Sequence, residues 1–175
     1  IEDPQPDWEQ PDNRKTKISW LMDAILLGIE DAFGYYDIEL PTLRYKTLGG
    51  TVHDCEQVTV SLTQAYIGPP GDQASGPMPC NGPRTGIFQI QVVRCFKDGS
   101  SKNIRAGNST APDPVVIGEY ASQRAEDLWA LLDVPGFVPD YNFAIGDVSV
   151  TDPEGGYQAA QMTLTPVTTQ RKALT

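Results

Sequence analysis

The side chains best equipped for chemistry are few: one histidine, His53, and three cysteines, Cys55, Cys80 and Cys95. Together they could hold zinc tetrahedrally, because thiolate sulfur and imidazole nitrogen suit that borderline-soft cation. The spacing argues against it, since no C-x2-C pair provides a preorganised half-site and Cys95 closes a predicted strand. A zinc deaminase centre fits no better. Cys80 lacks the second cysteine of that motif, and His53-Asp54-Cys55-Glu56 has the wrong His-to-Glu spacing. A cysteine nucleophile with His53 as its base would lack the third, orienting group of a triad. The serines, Ser61 and Ser75 among them, lie in no G-x-S-x-G turn. Gly49-Gly50 and Gly155-Gly156 lack the spacing of a dinucleotide or phosphate loop. The carboxylate pairs Asp23 with Glu30 and Glu126 with Asp127 fall on predicted helices, where such charges usually form a solvated face, and a glycosidase pair would need a cleft. The residues therefore predict a non-enzyme with no catalytic, cofactor-binding or metal-binding side chains and no cofactor. An odd number of cysteines favours small reduced thiols, with one disulfide and one free thiol as the alternative.

The elements that would position these residues centre on two long alternating stretches. In 54–66, Val58, Val60 and Leu62 share one face while Thr59, Ser61 and Thr63 share the other. In 85–96, Phe88, Ile90 and Val92 oppose Gln89 and Gln91. Period-two alternation predicts two neighbouring antiparallel strands covered on one side. The Thr, Ser and Gln face is expected to be wet or to meet something polar.

Before them, 17–33 carries Ile18, Leu21, Met22, Ile25, Leu26, Ile29, Ala32 and Phe33 at helical spacing, with Gly34 placed for a left-handed cap. Trp20, Ala24 and Leu27 widen the apolar surface beyond the usual stripe, so this helix predicts cover on more than one side. A short strand is expected over 42–47, with Leu43 and Tyr45 on one face, and Gly49-Gly50 turns the chain. After the long strands, Asp113 and Pro114 open a helix to about Leu132, ended by Pro135 and Gly136. Its stripes are Val116, Tyr120, Gln123, Asp127 and Leu131, beside Ile117, Ala121, Arg124, Leu128 and Leu132. Strands follow over 142–151, where Phe143, Ile145, Val148 and Val150 require a break at Gly146, and over 156–167. The fold class is α+β: a mainly antiparallel sheet with two helices packed on one face and long Gly/Pro-rich loops.

The chain of 175 residues holds 16 glycines and 15 prolines. That length corresponds to one domain, here 17–167, with an extended arm at 1–16 and a polar tail at 168–175. The arm has Trp8 as its one large apolar group and reads as either floppy or laid on a partner. The connection 67–84, containing Gly68, Pro69, Pro70 and Gly71, is long enough to read as a contact loop against a partner, with a tolerated surface excursion as the alternative. A net charge of -10 argues against a surface that grips nucleic acid. No apolar run is long enough to span a membrane. No leader pattern is visible, and the start at Ile1 implies that residues precede it.

Asp54-Cys55-Glu56-Gln57-Val58-Thr59-Val60, Gly68-Pro69-Pro70-Gly71, Cys80, and Pro83-Arg84 leading to Val92-Val93-Arg94-Cys95 resemble the small neck proteins of long-tailed actinobacteriophages. So does Asp152-Pro153-Glu154-Gly155-Gly156-Tyr157-Gln158-Ala159. The similarity runs from about 18 to 167 and points to the tail terminator or another head-to-tail connector component. It implies a non-enzymatic virion protein, assembled in the host cytoplasm as a ring, typically a hexamer, that caps the tail tube and joins it to the head. Its implied partners are copies of itself, the tail tube protein and head-side connector proteins, with DNA passing through the bore unbound. A stopper or adaptor ring, or a monomeric binding module unrelated to phage, are the alternatives. Candidate subunit or partner contacts are Trp8, Trp20, Leu27, Gly68, Pro69, Pro70 and Gly71.

Overall fold

A computed structural model describes residues 18–49, 56–68, 84–95, 114–138, 141, 143–151 and 157–166. Helix α1 (Ile18–Tyr35) is followed by β1 (Leu43–Leu48), β2 (Gln57–Ile67) and β3 (Arg84–Cys95). Helix α2 (Pro114–Leu131), a single 3-10 turn (Val134–Phe137), β4 (Phe143–Val150) and β5 (Tyr157–Pro166) complete the order. The strands form one sheet in the order β1-β2-β3-β5-β4. Every neighbouring pair is antiparallel except β1 with β2, which run parallel. Both helices lie against this sheet, giving the α+β class that the hydrophobic periodicities imply.

Parallel neighbours normally need a crossover of a dozen or more residues. Here residues 49–56 suffice because β1 is only six residues long. The return of about 20 Å lies within the reach of about 28 Å for a nearly extended chain of that length.

The core follows the alternation. Val58, Val60, Phe88, Ile90, Val92, Ala160, Met162 and Leu164 point to the helix side and are buried there with Leu21, Met22, Ile25, Ile29, Ala32 and Phe33 of α1. Ala130 and Leu131 of α2 and Val134 of the turn close the same cluster. In β4 the register slips between Ile145 and Val148. This is the break at Gly146 that keeps Phe143, Ile145, Val148 and Val150 on one face.

Two local expectations are corrected. The chain does not turn left-handed at Gly34: α1 runs on to Tyr35, and Asp37, at φ 55°, supplies the left-handed residue. Asp tolerates that conformation better than most residues. The Ile38 N–H then bonds the Phe33 carbonyl at 2.9 Å, and the Asp37 N–H the Gly34 carbonyl at 3.1 Å. Packing of Tyr35 against Phe137 and of Tyr36 edge-on to Tyr35 favours the extra helical residues.

The second correction concerns the polar sheet face: of the two expectations, wet or meeting something polar, the first holds at Thr63 and Gln64, which are exposed, and fails over much of the rest. Gln57, Thr59, Ser61, Thr85 and Gln91 are buried, as are Tyr66, Val93 and Ala159 on the same side. Their polar atoms mostly bond one another or the backbone. The Tyr45 hydroxyl donates to Gln57 Oε1 at 3.1 Å, and Gln89 and Gln91 both donate to Gln161 Oε1 at 3.3 Å. Gln161 in turn donates to Ser149 Oγ. Thr59 Oγ1 is the exception, buried with no hydrogen-bond partner.

Helix α1 crosses the 3-10 turn at Gly28, where a Cβ would sit 2.5 Å from Val138 Cγ2. Val138 is buried and its branched side chain is stiff. Gly28→Ala gains about 1 kcal/mol of helix propensity but overpacks this crossing at a cost of about 1–3 kcal/mol. Net destabilisation is expected in urea unfolding, and Val138→Ala in the same chain should relieve part of it. Strict additivity of the two changes would show that the contact is not the cause.

Candidate contact surface and the buried ion group

The helix layer exposes apolar side chains on its outer side. Trp20 is 58% exposed and Leu27 60% exposed; seven residues apart, they fall on one side of α1. Their position is opposite the row Leu21, Ile25, Gly28, Ile29 and Ala32 that faces the sheet. Both are where helical spacing puts them, and both are more than half exposed in the single chain.

Helix α2 adds Trp129, 67% exposed, and Leu132 one turn further on. Neither was singled out from sequence as a contact. The signal was present in Trp129, a large apolar residue off both stripes of its helix. Gly68 ends β2 at φ +149°, and its carbonyl accepts the Thr85 hydroxyl at 2.7 Å. Trp8, Pro69, Pro70 and Gly71 lie outside the described residues, so the structure does not join them to Trp20 and Leu27.

The acidic residues of α1 contribute to positioning. Glu30 accepts from Arg44 at 2.6 Å and Asp23 pairs with Lys46 at 2.8 Å, tying α1 to the edge strand β1. Both pairs are partly exposed and contribute little to stability, at most about 1 kcal/mol each. The expected solvated run at Glu126 and Asp127 is half wrong: Glu126 is exposed, but Asp127 is fully buried.

Asp127 sits at the centre of an ion group. Arg94, on the helix side of β3, grips it through Nε at 2.8 Å and Nη2 at 3.0 Å. Arg124, one turn earlier on α2, donates from Nη1 at 3.0 Å. Arg94 Nη2 also reaches the Glu39 carbonyl at 2.7 Å, and Arg124 Nη2 reaches Gln123 at 3.2 Å. Burial pushes the Asp127 carboxyl above its ordinary range, against the pull of both guanidinium groups. Burial likewise lowers Arg124, opposed by Asp127 and by Glu56. The sequence signal for this group was an arginine at a core-facing strand position and an aspartate within the apolar stripe of a helix.

At the outer end of the helices, the Tyr36 hydroxyl donates to the Asp133 carboxylate. That bond holds the phenol pKa above its ordinary value.

His53, Cys55 and Cys80 lie outside the described residues. Cys95 is disulfide-bonded, which corrects the expectation of reduced thiols. Among the described residues no group of three or more His, Cys, Asp or Glu gathers where a metal could sit, and no helix is long and apolar enough to cross a membrane. No protein-family model matches the chain, and no curated protein is similar enough to count as a relative.

Removing one partner of a buried ion pair strands the others, at about 3–5 kcal/mol. Asp127→Asn is expected to lose that much in urea unfolding, whereas Arg94→Met, Arg124→Leu and Asp127→Leu combined should recover most of it. A loss below about 1 kcal/mol for Asp127→Asn would show that the group does not hold the helix to the sheet.

Proposed function

We propose that the chain is a structural ring subunit of a phage neck, most simply a tail terminator that caps the tail tube and meets head-side connector proteins. The observation that carries the reading is the exposure of Trp20 and Leu27 on one side of α1 and of Trp129 on α2. Large exposed apolar groups that adjoin one another mark a surface for protein contact. In a ring made by cyclic symmetry the same surface recurs at every subunit boundary, so a modest patch is used many times.

Two further features support the reading. A chain charge of -10 would let DNA slide through a bore without adhering. The connection between β2 and β3 leaves the sheet at the end where Gly68 and Arg84 lie, and a loop of that length suits contact with a neighbouring ring.

Native mass spectrometry is expected to give a closed ring, and Leu27→Glu combined with Trp20→Glu should yield single subunits with unchanged circular dichroism. Single wild-type subunits at high concentration, both free and with the tail tube protein, would favour a monomeric binding module instead. Shortening 68–82 should leave the ring intact and impair docking to its neighbours. Full infectivity of that variant would remove the loop from the contact.

A further inference from the structure

Cys95 is disulfide-bonded, and the chain has two other cysteines, Cys55 and Cys80. The β2 to β3 register identifies which of them is the partner. The ladder runs without a slip from Leu62 opposite Phe88 to Gln57 opposite Val93. Each step back along one antiparallel strand matches a step forward along the other. The ladder ends at Gln57 opposite Val93, at the same end of the sheet as Cys95. Cys55 precedes Gln57 by two residues, at most about 7 Å of chain, so Cys95 lies within its reach.

Reach excludes Cys80. It precedes Arg84, at the start of β3, by four residues, a span of at most about 15 Å. Cys95 ends the same twelve-residue strand, about 35 Å from Arg84. The shortfall is about 20 Å, several times what a disulfide can cover.

A second contact holds the two strand ends together where the ladder stops. Glu56 adopts φ 59°, and its carboxylate Oε1 accepts the Cys95 N–H at 3.0 Å. The side chain thus takes the bond that a continuing strand would have supplied.

We propose that Cys55 and Cys95 form a cross-strand disulfide that clasps the open end of the β2 and β3 pair, leaving Cys80 as the free thiol. On closure two thiols lose two protons and two electrons to a small-molecule disulfide such as oxidised glutathione, which is reduced to two thiols.

The test equilibrates the full chain with oxidised glutathione, alkylates free thiols and digests it without reductant. Peptides linking Cys55 to Cys95, with alkylation on Cys80, are expected. Reductant should lower the thermal midpoint by about 5–15 °C, as loss of one disulfide does in a chain of this size. Cys80→Ser should keep that dependence, and Cys55→Ser should abolish it. A Cys80 to Cys95 link, alkylation of all three thiols, a covalent dimer, or a midpoint indifferent to reductant would each overturn the assignment.

Discussion

A carboxylate without access to water, held by two guanidinium groups, sets how the helix layer meets the sheet. Asp127 belongs to α2, Arg94 to the end of β3, and the carbonyl that Arg94 also binds belongs to Glu39 in the segment between α1 and β1. Apolar packing tolerates sliding by a fraction of a residue. A bidentate carboxylate does not, because both oxygens must meet the planar guanidinium fork at hydrogen-bond distance. Burying these charges is not in itself a source of stability. What the group contributes is a fixed register between α2 and β3, and with it the side of α2 that faces outward.

That register decides where Trp129 and Leu132 point. With Arg124, Asp127, Ala130 and Leu131 turned inward, the remaining arc of the helix has to carry Trp129 on the outside. On α1 the corresponding constraint is Gly28. Its missing side chain lets Val134 and Val138 approach the helix backbone, which fixes the rotation of α1 and leaves Trp20 and Leu27 outward. The exposed apolar surface is thus a consequence of how two helices are locked, and local propensity would not have required it.

The α+β class, the five strands, the break in β4 and the inward faces of β2 and β3 were legible because alternation and helical spacing are properties of the sequence itself; in β1 the helix side carries Arg44 and Lys46, not Leu43 and Tyr45. Three things were not. The parallel pairing of β1 with β2 depends on how far residues 49–56 can stretch, which hydrophobic pattern does not report. The burial of Gln57, Thr59, Ser61 and Gln91 was hidden because polar residues on a strand face ordinarily read as solvated. Gln57 and Gln91 find partners across strands and Ser61 a backbone carbonyl, a property of register, while Thr59 Oγ1 stays without one. The ion group joins residues 94, 124 and 127 from separate elements, and an aspartate inside an apolar stripe names no partner. Of the candidate contact residues, Trp20 and Leu27 were legible because an α-helix with apolar residues all round exceeds what one sheet can cover. Trp129 carried a signal too, as a large apolar residue off both stripes, but a helix whose inward stripe is already complete gives no reason to look for it outside.

The sheet offers few alternatives for self-association. Much of its polar face is buried, so a partner laid there would have to displace Gln and Thr side chains that already bond within the chain. The edge strand β4 slips register at Ile145 to Val148 and exposes Asp147 there, a bulge and a charge that both discourage strand addition. The other edge, β1, is short, and its Arg44 and Lys46 are committed to Glu30 and Asp23 of α1. Short length and charge likewise protect such an edge. On the outer side of α1 the exposed side chains of Trp20 and Leu27 share their arc with the exposed carboxylate of Asp31, so a contact made there would bury apolar area beside a charge that a partner has to meet.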